Sequence, residues 1–354
     1  MENLSMNVQN AASNFSWKWY LKNLPPPDKP VKVFSAFSCG GGSTMGYKRA
    51  GFDVVGNVEI DKSINAMYVK NHHPKYNFNM DLRDFNKLSD LPDELYNLDI
   101  LDGSPPCSTF STAGKRSKVW GVKKKFREGQ KAQVLDDLFF VFLETVKKLK
   151  PKIVIAENVL GLISGKAKGY AHDIIKGFRN IGYDVQIFKL NSALTEVPQS
   201  RNRIFFIANN QNYPKLRLNC NYPIIRFGEV RTRHGKSFTT KEGGKYQEFL
   251  KLARPSDKTI SDVRKRVDGK GSGFNHIIVA DEDICPCVIS HGCFFRLYDR
   301  LHFLDGDYIN VQTFPQDYDF CGQNVQYVCG MSVPPNMMTH LALEIWEQWY
   351  EPSP

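Results

Sequence analysis

Val31-Lys32-Val33-Phe34-Ser35-Ala36-Phe37-Ser38-Cys39-Gly40-Gly41-Gly42 is the stretch whose reading decides the fold. Val31–Phe37 has the apolar, aromatic composition of a buried strand, and three glycines follow it where a helical pattern begins. The expected helix, Ser43–Ala50, is closed by Gly51 as a left-handed cap. Outward from this unit the alternation repeats. Val54–Glu59 is the next expected strand, followed by a helix over 62–70. Asp99–Asp102 ends a short strand, Gln130–Lys150 reads as an amphipathic helix, and Lys152–Ala156 as a buried strand. Tyr170–Ile181 is a helix stopped by Gly182, and Val185–Leu190 and Arg203–Ala208 are strands. Such alternation predicts an α/β fold with a mainly parallel sheet and helices on both faces. The pattern covers 31–208, fades after Asn209, and returns as a helix over Met337–Trp349. Residues 1–30 read as an arm ending in the stiff linker Pro25-Pro26-Pro27 and Pro30.

The chain has 354 residues, 42% hydrophobic and 24% charged, which is globular composition and excludes wholesale disorder. No apolar run approaches the roughly 20 residues of a membrane helix. The first 30 residues lack the charged-then-apolar layout of a secretory leader. A cytoplasmic monomer with no membrane partner is expected. Net charge is +10, and the excess is local: residues 211–270 hold 15 lysines and arginines against 6 acids. A polyanion is the natural partner of that segment, and a merely solvated basic face is the alternative. The eight cysteines should be reduced in the cytoplasm. Cys285, Cys287 and Cys293 lack the paired spacing and partner histidines of a zinc site, so no metal is expected.

The unusual residues follow the expected strands: Phe37–Gly42, Glu59, Ser104–Cys107 and Glu157-Asn158. The carboxyl ends of parallel strands share one rim, where ligands bind. The glycine loop fits a close ligand approach or a tight turn, and Glu59, about 20 residues on, suits a ribose diol. Met45 occupies the third glycine position of a dinucleotide loop, which argues against a nicotinamide enzyme. Pro105-Pro106 fixes the backbone before Cys107, and the basic run after it favours a thiolate; a structural turn cysteine is the other reading. Glu157 ends an apolar strand with no charge partner in sequence, so desolvation would raise its pKa and let it donate a proton; a structural ion pair is the alternative. Arg201 and Arg203 at period two would share one side of the last strand, suited to phosphate or a carbonyl oxygen.

Together these motifs resemble the DNA (cytosine-5) methyltransferase family, in that family's motif order over nearly the whole chain. Ser35–Gly42 with Ala50-Gly51-Phe52 resembles its S-adenosylmethionine loop, and Ser104-Pro105-Pro106-Cys107 its nucleophile motif. Glu157-Asn158-Val159, Gln199–Arg203, Gln312–Tyr318 and Gly330–Pro335 resemble its remaining elements. Cys39, Ser108 and Met331 depart from the family's glycine, glutamine and asparagine.

The resemblance implies a Rossmann-like methyltransferase fold with a catalytic domain over 31–208, a smaller target-recognition domain over 209–320, and a segment over 321–354 returning to the catalytic domain. It implies Cys107, Glu157, Arg201 and Arg203 as catalytic residues. It implies cofactor contacts from Phe37, Ser38, Gly40, Gly41, Gly42, Glu59, Ile60, Asp81, Pro106, Ser332 and Val333. The implied cofactor is S-adenosylmethionine, with S-adenosylhomocysteine as product. Duplex DNA is the implied partner, met by Lys115, Arg116, Lys123, Lys124, Arg231, Arg233, Arg264, Lys265 and Arg266, with a closing basic loop over 115–131. Restriction-modification, with a separately encoded endonuclease, is the implied setting. A tRNA cytosine-5 methyltransferase of the same fold, and a catalytically inactive DNA-binding homologue, are the alternatives.

Overall fold

β1 (Lys32–Ala36) is buried because its two faces serve two cores. Val33 joins a cluster with Tyr47, Phe52 and Ile100, whereas Phe34 and Ala36 join one with Phe85, Leu101 and Phe142. The computed structural model describes residues 15–106, 137–164, 167–233, 245–271 and 276–351. After β1 come α1 (Gly42–Arg49), β2 (Asp53–Val58), α2 (Lys62–His72), β3 (Tyr76–Phe78), α3 (Leu82–Phe85), β4 (Ile100–Gly103) and α4 (Leu138–Leu149). β5 (Ile153–Val159), α5 (Lys168–Asn180), β6 (Asp184–Asn191), β7 (Gln199–Ser200) and β8 (Asn202–Asn209) follow. Seven of these strands form one sheet in the order β3-β2-β1-β4-β5-β8-β6. Pairing is parallel from β3 through β5, and β8 runs antiparallel to both β5 and β6. The reason is chain length, because a parallel crossover needs about a dozen residues or more and fewer separate β6 from β8.

Strand order reverses at β1, with β2 on one side and β4 on the other, so a crevice opens at their carboxyl ends. Phe139, Phe142 and Val146 of α4 and Ile174 and Phe178 of α5 cover one face. α1 covers the other together with α11 (Pro335–Ile345), whose Met337, Met338 and Leu341 share a cluster with Val33 and Ile155.

Between β8 and α11 lie α6 (Phe227–Val230), α7 (Lys245–Lys251), α8 (Ile260–Asp268), β9 (Ile277–Val279), β10 (Cys285–Pro286), β11 (Phe294–Arg296), α9 (Asp305–Val311) and α10 (Val325–Met331). Leu250, Ile260, Val263, Ile278 and Phe295 make a small core of their own there. Phe227, Phe294, Tyr308 and Phe314 instead share a cluster with Met45, Ile64 and Met67 of the main layer. From the basic segment, Phe227 and Val230 join this shared core, whereas α7 and α8 belong to the small one.

One strand boundary changes, one expected helix is described only in part, and the arm gains a place. β5 continues to Val159 rather than ending at Ala156, because Arg203, Ile204 and Phe205 of the antiparallel β8 extend its ladder. The expected helix over 130–150 is described from Leu138, and its earlier residues lie outside the described residues. The arm, described from Phe15, is packed rather than free. Trp19 Nε1 donates to Thr313 O at 2.8 Å, Asn336 Nδ2 donates to Phe15 O at 3.0 Å, and the Arg49 guanidinium lies 5.0 and 4.5 Å from the Phe15 and Trp19 rings. Trp19→Ala removes a buried indole and strands that carbonyl. It should lower unfolding free energy by about 3 kcal/mol in urea titrations. A loss below about 1 kcal/mol would show that the arm is an appendage.

Candidate active site

The crevice is walled by residues that the sheet brings together from distant parts of the chain. Phe37 and Cys39 come from the loop after β1, Glu59, Ile60 and Asp61 follow β2, and Met80 and Asp81 follow β3. Ser104 and Pro106 follow β4, while Tyr327 and Met331 come from α10. Glu59 is held rigidly: its Oε2 accepts the Cys39 amide at 3.0 Å and its Oε1 the Asp61 amide at 2.9 Å. Burial pushes its pKa up, and those two amides pull it back down. Asp61 caps α2 through the Ser63 and Ile64 amides, and Asp81 caps α3 through the Arg83 amide. Burial also pushes the Cys39 thiol up to about 12.

Packing also requires the glycines. A side chain at Gly42 would meet Val333 O at 2.0 Å, and one at Gly40 would meet Val328 Cγ1 at 2.6 Å. Gly41 has φ +74°, and a Cβ there would lie 2.1 Å from His72 Nε2. The loop is thus packed from behind by α10 and the turn after it. Ser332 and Val333 are buried in that packing, and Ser38 is buried with its Oγ accepting from Asn57 Nδ2 at 3.1 Å. Of the expected cofactor residues, Phe37, Glu59, Ile60, Asp81 and Pro106 line the crevice. Ser38, Gly40, Gly41, Gly42, Ser332 and Val333 support it. Tyr327 and Met331 line it too, and the sequence reading did not place either among the contacts.

Cys107 lies outside the described residues, but the chain leading to it is fixed. Asn158 Nδ2 donates to Pro105 O at 3.0 Å, a buried bond that ties β5 to the Pro105-Pro106 turn. One residue earlier, Glu157 has the partner that its sequence surroundings did not reveal. Its Oε1 lies 2.7 Å from Arg203 Nε, and both side chains are largely buried. The antiparallel β8 creates this pair by setting Arg203 opposite Val159, diagonal to Glu157.

Arg201 departs from expectation. Strand β8 begins only at Asn202, so Arg201 sits in the break after β7 and does not share Arg203's placement. It is 3% exposed and donates to Gly330 O from both Nη atoms at 3.1 Å and to Val288 O at 3.1 Å. Burial lowers its pKa to about 10. Its Nη atoms bind backbone carbonyls and so tie α10 to the turn after β10. Gln199 assists, accepting the Val288 amide at 2.8 Å and donating to Gln312 Oε1 at 2.6 Å.

A family profile described as C-5 cytosine-specific DNA methylase matches residues 31–277. The chain belongs to that family. It is 30% identical to the Type II methyltransferase M.Sau96I of Staphylococcus aureus over 89% of this chain and 75% of that protein. It is 33% identical to M.FnuDI of Fusobacterium nucleatum over 55% of this chain and 51% of that one, and 33% identical to M.NgoPII of Neisseria gonorrhoeae over 52% and 49%. The match thus spans about half the length of those two relatives. The fold is that of a DNA modification methyltransferase encoded within an E. coli prophage, with a TM-score of 0.62 at 18% identity over 91% of this chain and 100% of the other. A Spodoptera frugiperda DNMT2 variant gives 0.60 at 16% identity over 90% and 100%.

Within this methylase-family chain the basic residues divide. Lys115, Arg116, Lys123, Lys124 and the loop around them lie outside the described residues. Arg266 pairs with buried Asp257 at 2.7 Å and donates to Leu252 O at 2.7 Å, so it ties α8 to the segment that follows α7. Arg231 pairs with Asp281 at 3.0 Å and lies 3.9 Å from the Tyr298 ring. Arg264 lies 5.3 Å from the Phe249 ring and 3.7 Å from Asp268. Arg233 and Lys265 are exposed, with no ion pair among the described residues. One further residue went unnoticed in the sequence: Asp102, a carboxylate inside β4, whose only signal is an acid at an inward strand position.

The split between the arginines is testable. Arg201→Lys keeps the charge but loses the fork that spans two carbonyls, and should cost roughly 1–3 kcal/mol in chemical denaturation. Arg203→Lys should cost less stability and more methyl-transfer rate. The reverse ranking would mean that the roles are exchanged.

Proposed function

We propose that this chain transfers a methyl group from S-adenosylmethionine to carbon 5 of a cytosine flipped out of a specific sequence in duplex DNA. The observation that carries this reading is the convergence on one rim of the Asn158-held Pro105-Pro106 turn, the Glu157–Arg203 pair and the acid-lined crevice. The crevice suits the cofactor: Phe37, Ile60 and Met80 offer apolar surface for a flat base beside carboxylates for a ribose diol. Glu59 and Asp81 would hold the diol, and Phe37 and Ile60 the base. When bound, the cofactor supplies a methyl group on a positively charged sulfur. Family membership, and relatives named Type II methyltransferases, support DNA as substrate and a restriction-modification setting.

In this mechanism the Cys107 thiolate attacks carbon 6 of the cytosine, which makes carbon 5 nucleophilic. Glu157 hydrogen-bonds ring nitrogen 3 and the exocyclic amino group, drawing off the charge that develops there. Arg203 orients Glu157 through the 2.7 Å ion pair. After methylation, loss of the carbon-5 proton and departure of Cys107 restore the aromatic ring. A stacked base hides carbon 6, so the base leaves the helix at a cost of a few kcal/mol.

Cys107→Ser should abolish transfer and the covalent complex with DNA containing 5-fluorocytosine, while S-adenosylmethionine binding persists. Normal turnover by that variant would sink the mechanism. Glu157→Gln should slow single turnovers by roughly 10²–10⁴ with cofactor affinity little changed. Loss of cofactor binding first would place Glu157 in the wrong pocket.

For the basic segment, DNA affinity should fall with salt by a log–log slope of about −0.9 per phosphate contacted. Neutralising Arg233 and Lys265 together should make that slope shallower by about one to two. Arg266→Gln should lower thermal stability instead. An unaltered slope in the double variant would make those charges a solvated face.

A further inference from the structure

Asp102 is a buried acid that the mechanism above does not use. It lies on β4, 3% exposed, two residues before the Ser104–Pro106 turn. Ser35 Oγ on β1 donates to its Oδ2 at 3.1 Å, and Tyr47 OH on α1 donates to its Oδ1 at 3.1 Å. Two hydroxyls, from the strand and the helix that flank the glycine loop, thus converge on one carboxylate. The other titratable groups facing it are Glu157 on β5, which opposes its charge, and Tyr68 on α2, bonded to Thr44 at 2.8 Å. α11 contributes Met337, Met338 and Leu341 to the core on this side of the sheet, and its one titratable side chain near there, His340, is paired with Glu196 at 2.8 Å. No cation pairs with Asp102 among the described residues.

Burial, with Glu157 adding to it and the hydroxyls opposing it, pushes Asp102 from 3.8 up to about 7. Between those values the folded protein keeps a proton that the unfolded chain has released. Stability from this group therefore falls as pH rises through that window, and the ionised carboxylate is a constant cost above it. A buried charge that weakens the fold at working pH persists where activity needs it.

We propose that Asp102 is a positioning residue that ties α1 to β4 and sets a negative charge behind the glycine loop, so that the site favours the cationic sulfonium donor over its neutral thioether product. The proposal rests on the methyl-donor reading above. During transfer the sulfur–methyl bond breaks, its electron pair stays on sulfur, and sulfur loses its positive charge. In the same step the electron pair of the carbon 5–carbon 6 enamine forms the new carbon–carbon bond, and carbon 5 gives up its proton only afterwards, as Cys107 departs. An anion held behind the loop discriminates between those two charge states, which helps product leave.

The experiment is calorimetric titration of the full chain with S-adenosylmethionine and S-adenosylhomocysteine between pH 6 and 8.5, for the native protein and Asp102→Asn. The ligands' own amino groups titrate alike against both proteins, so the comparison cancels them. Preference for the sulfonium ligand should grow with pH in the native protein, reaching about five- to tenfold over the variant, whose preference stays level. Asp102→Asn should also melt higher than the native protein at pH 8. Tyr47→Phe, which removes one donor, should move the native transition to higher pH and serves if the Asn variant does not fold. Parallel preferences in native and variant proteins would overturn the role of Asp102 alone. If neither ligand bound the native protein, the methyl-donor reading would fall, and this proposal with it.

Discussion

The backbone of Val333 passes so close to Gly42 that a Cβ on the glycine would lie 2.0 Å from the Val333 carbonyl. Much else depends on that approach. It lets α11 lie against α1 and close one face of the sheet. It brings Met331 and Tyr327 to the crevice wall. It also sets Gly330 where Arg201 can hold its carbonyl, so residues 330–333 serve the glycine loop, the β7 break and the C-terminal helix together. Any side chain at position 42 would push these apart.

The acids around the crevice are stabilised in three different ways. Glu59 is held by two backbone amides, Glu157 by the Arg203 guanidinium, and Asp102 by neutral hydroxyls alone. A buried ion pair such as Glu157–Arg203 contributes little net stability, because desolvation offsets attraction. Its value lies in orientation, since breaking it leaves an unpaired charge at the end of β5. Asp102 lacks even that compensation, so burial pushes its pKa up to about 7.

The fold was legible because its signals are local. The apolar runs at Val31–Phe37 and Lys152–Ala156, with Gly51 and Gly182 as helix stops, need no knowledge of distant partners. What failed depended on pairing across the chain. Glu157 read as an unpartnered acid because Arg203 reaches it only through an antiparallel ladder. Period two put Arg201 and Arg203 on one side, but the break between β7 and β8 separates them. The sequence did not show that the glycines' missing side chains make room for His72, Val328 and Val333. Counting charge over 211–270 could not show that Arg266 is committed to Asp257. Asp102 left almost no trace, since an acid in a short strand gains meaning only from Ser35 and Tyr47.

The central claim is that this methylase-family chain marks cytosine at carbon 5 in a defined DNA sequence. Bisulfite sequencing of genomic DNA from cells producing the protein tests it most directly. The account predicts protected cytosines confined to one short sequence context and absent from cells producing Cys107→Ser. Unprotected DNA from cells containing folded protein, or protection found in RNA alone, would contradict it.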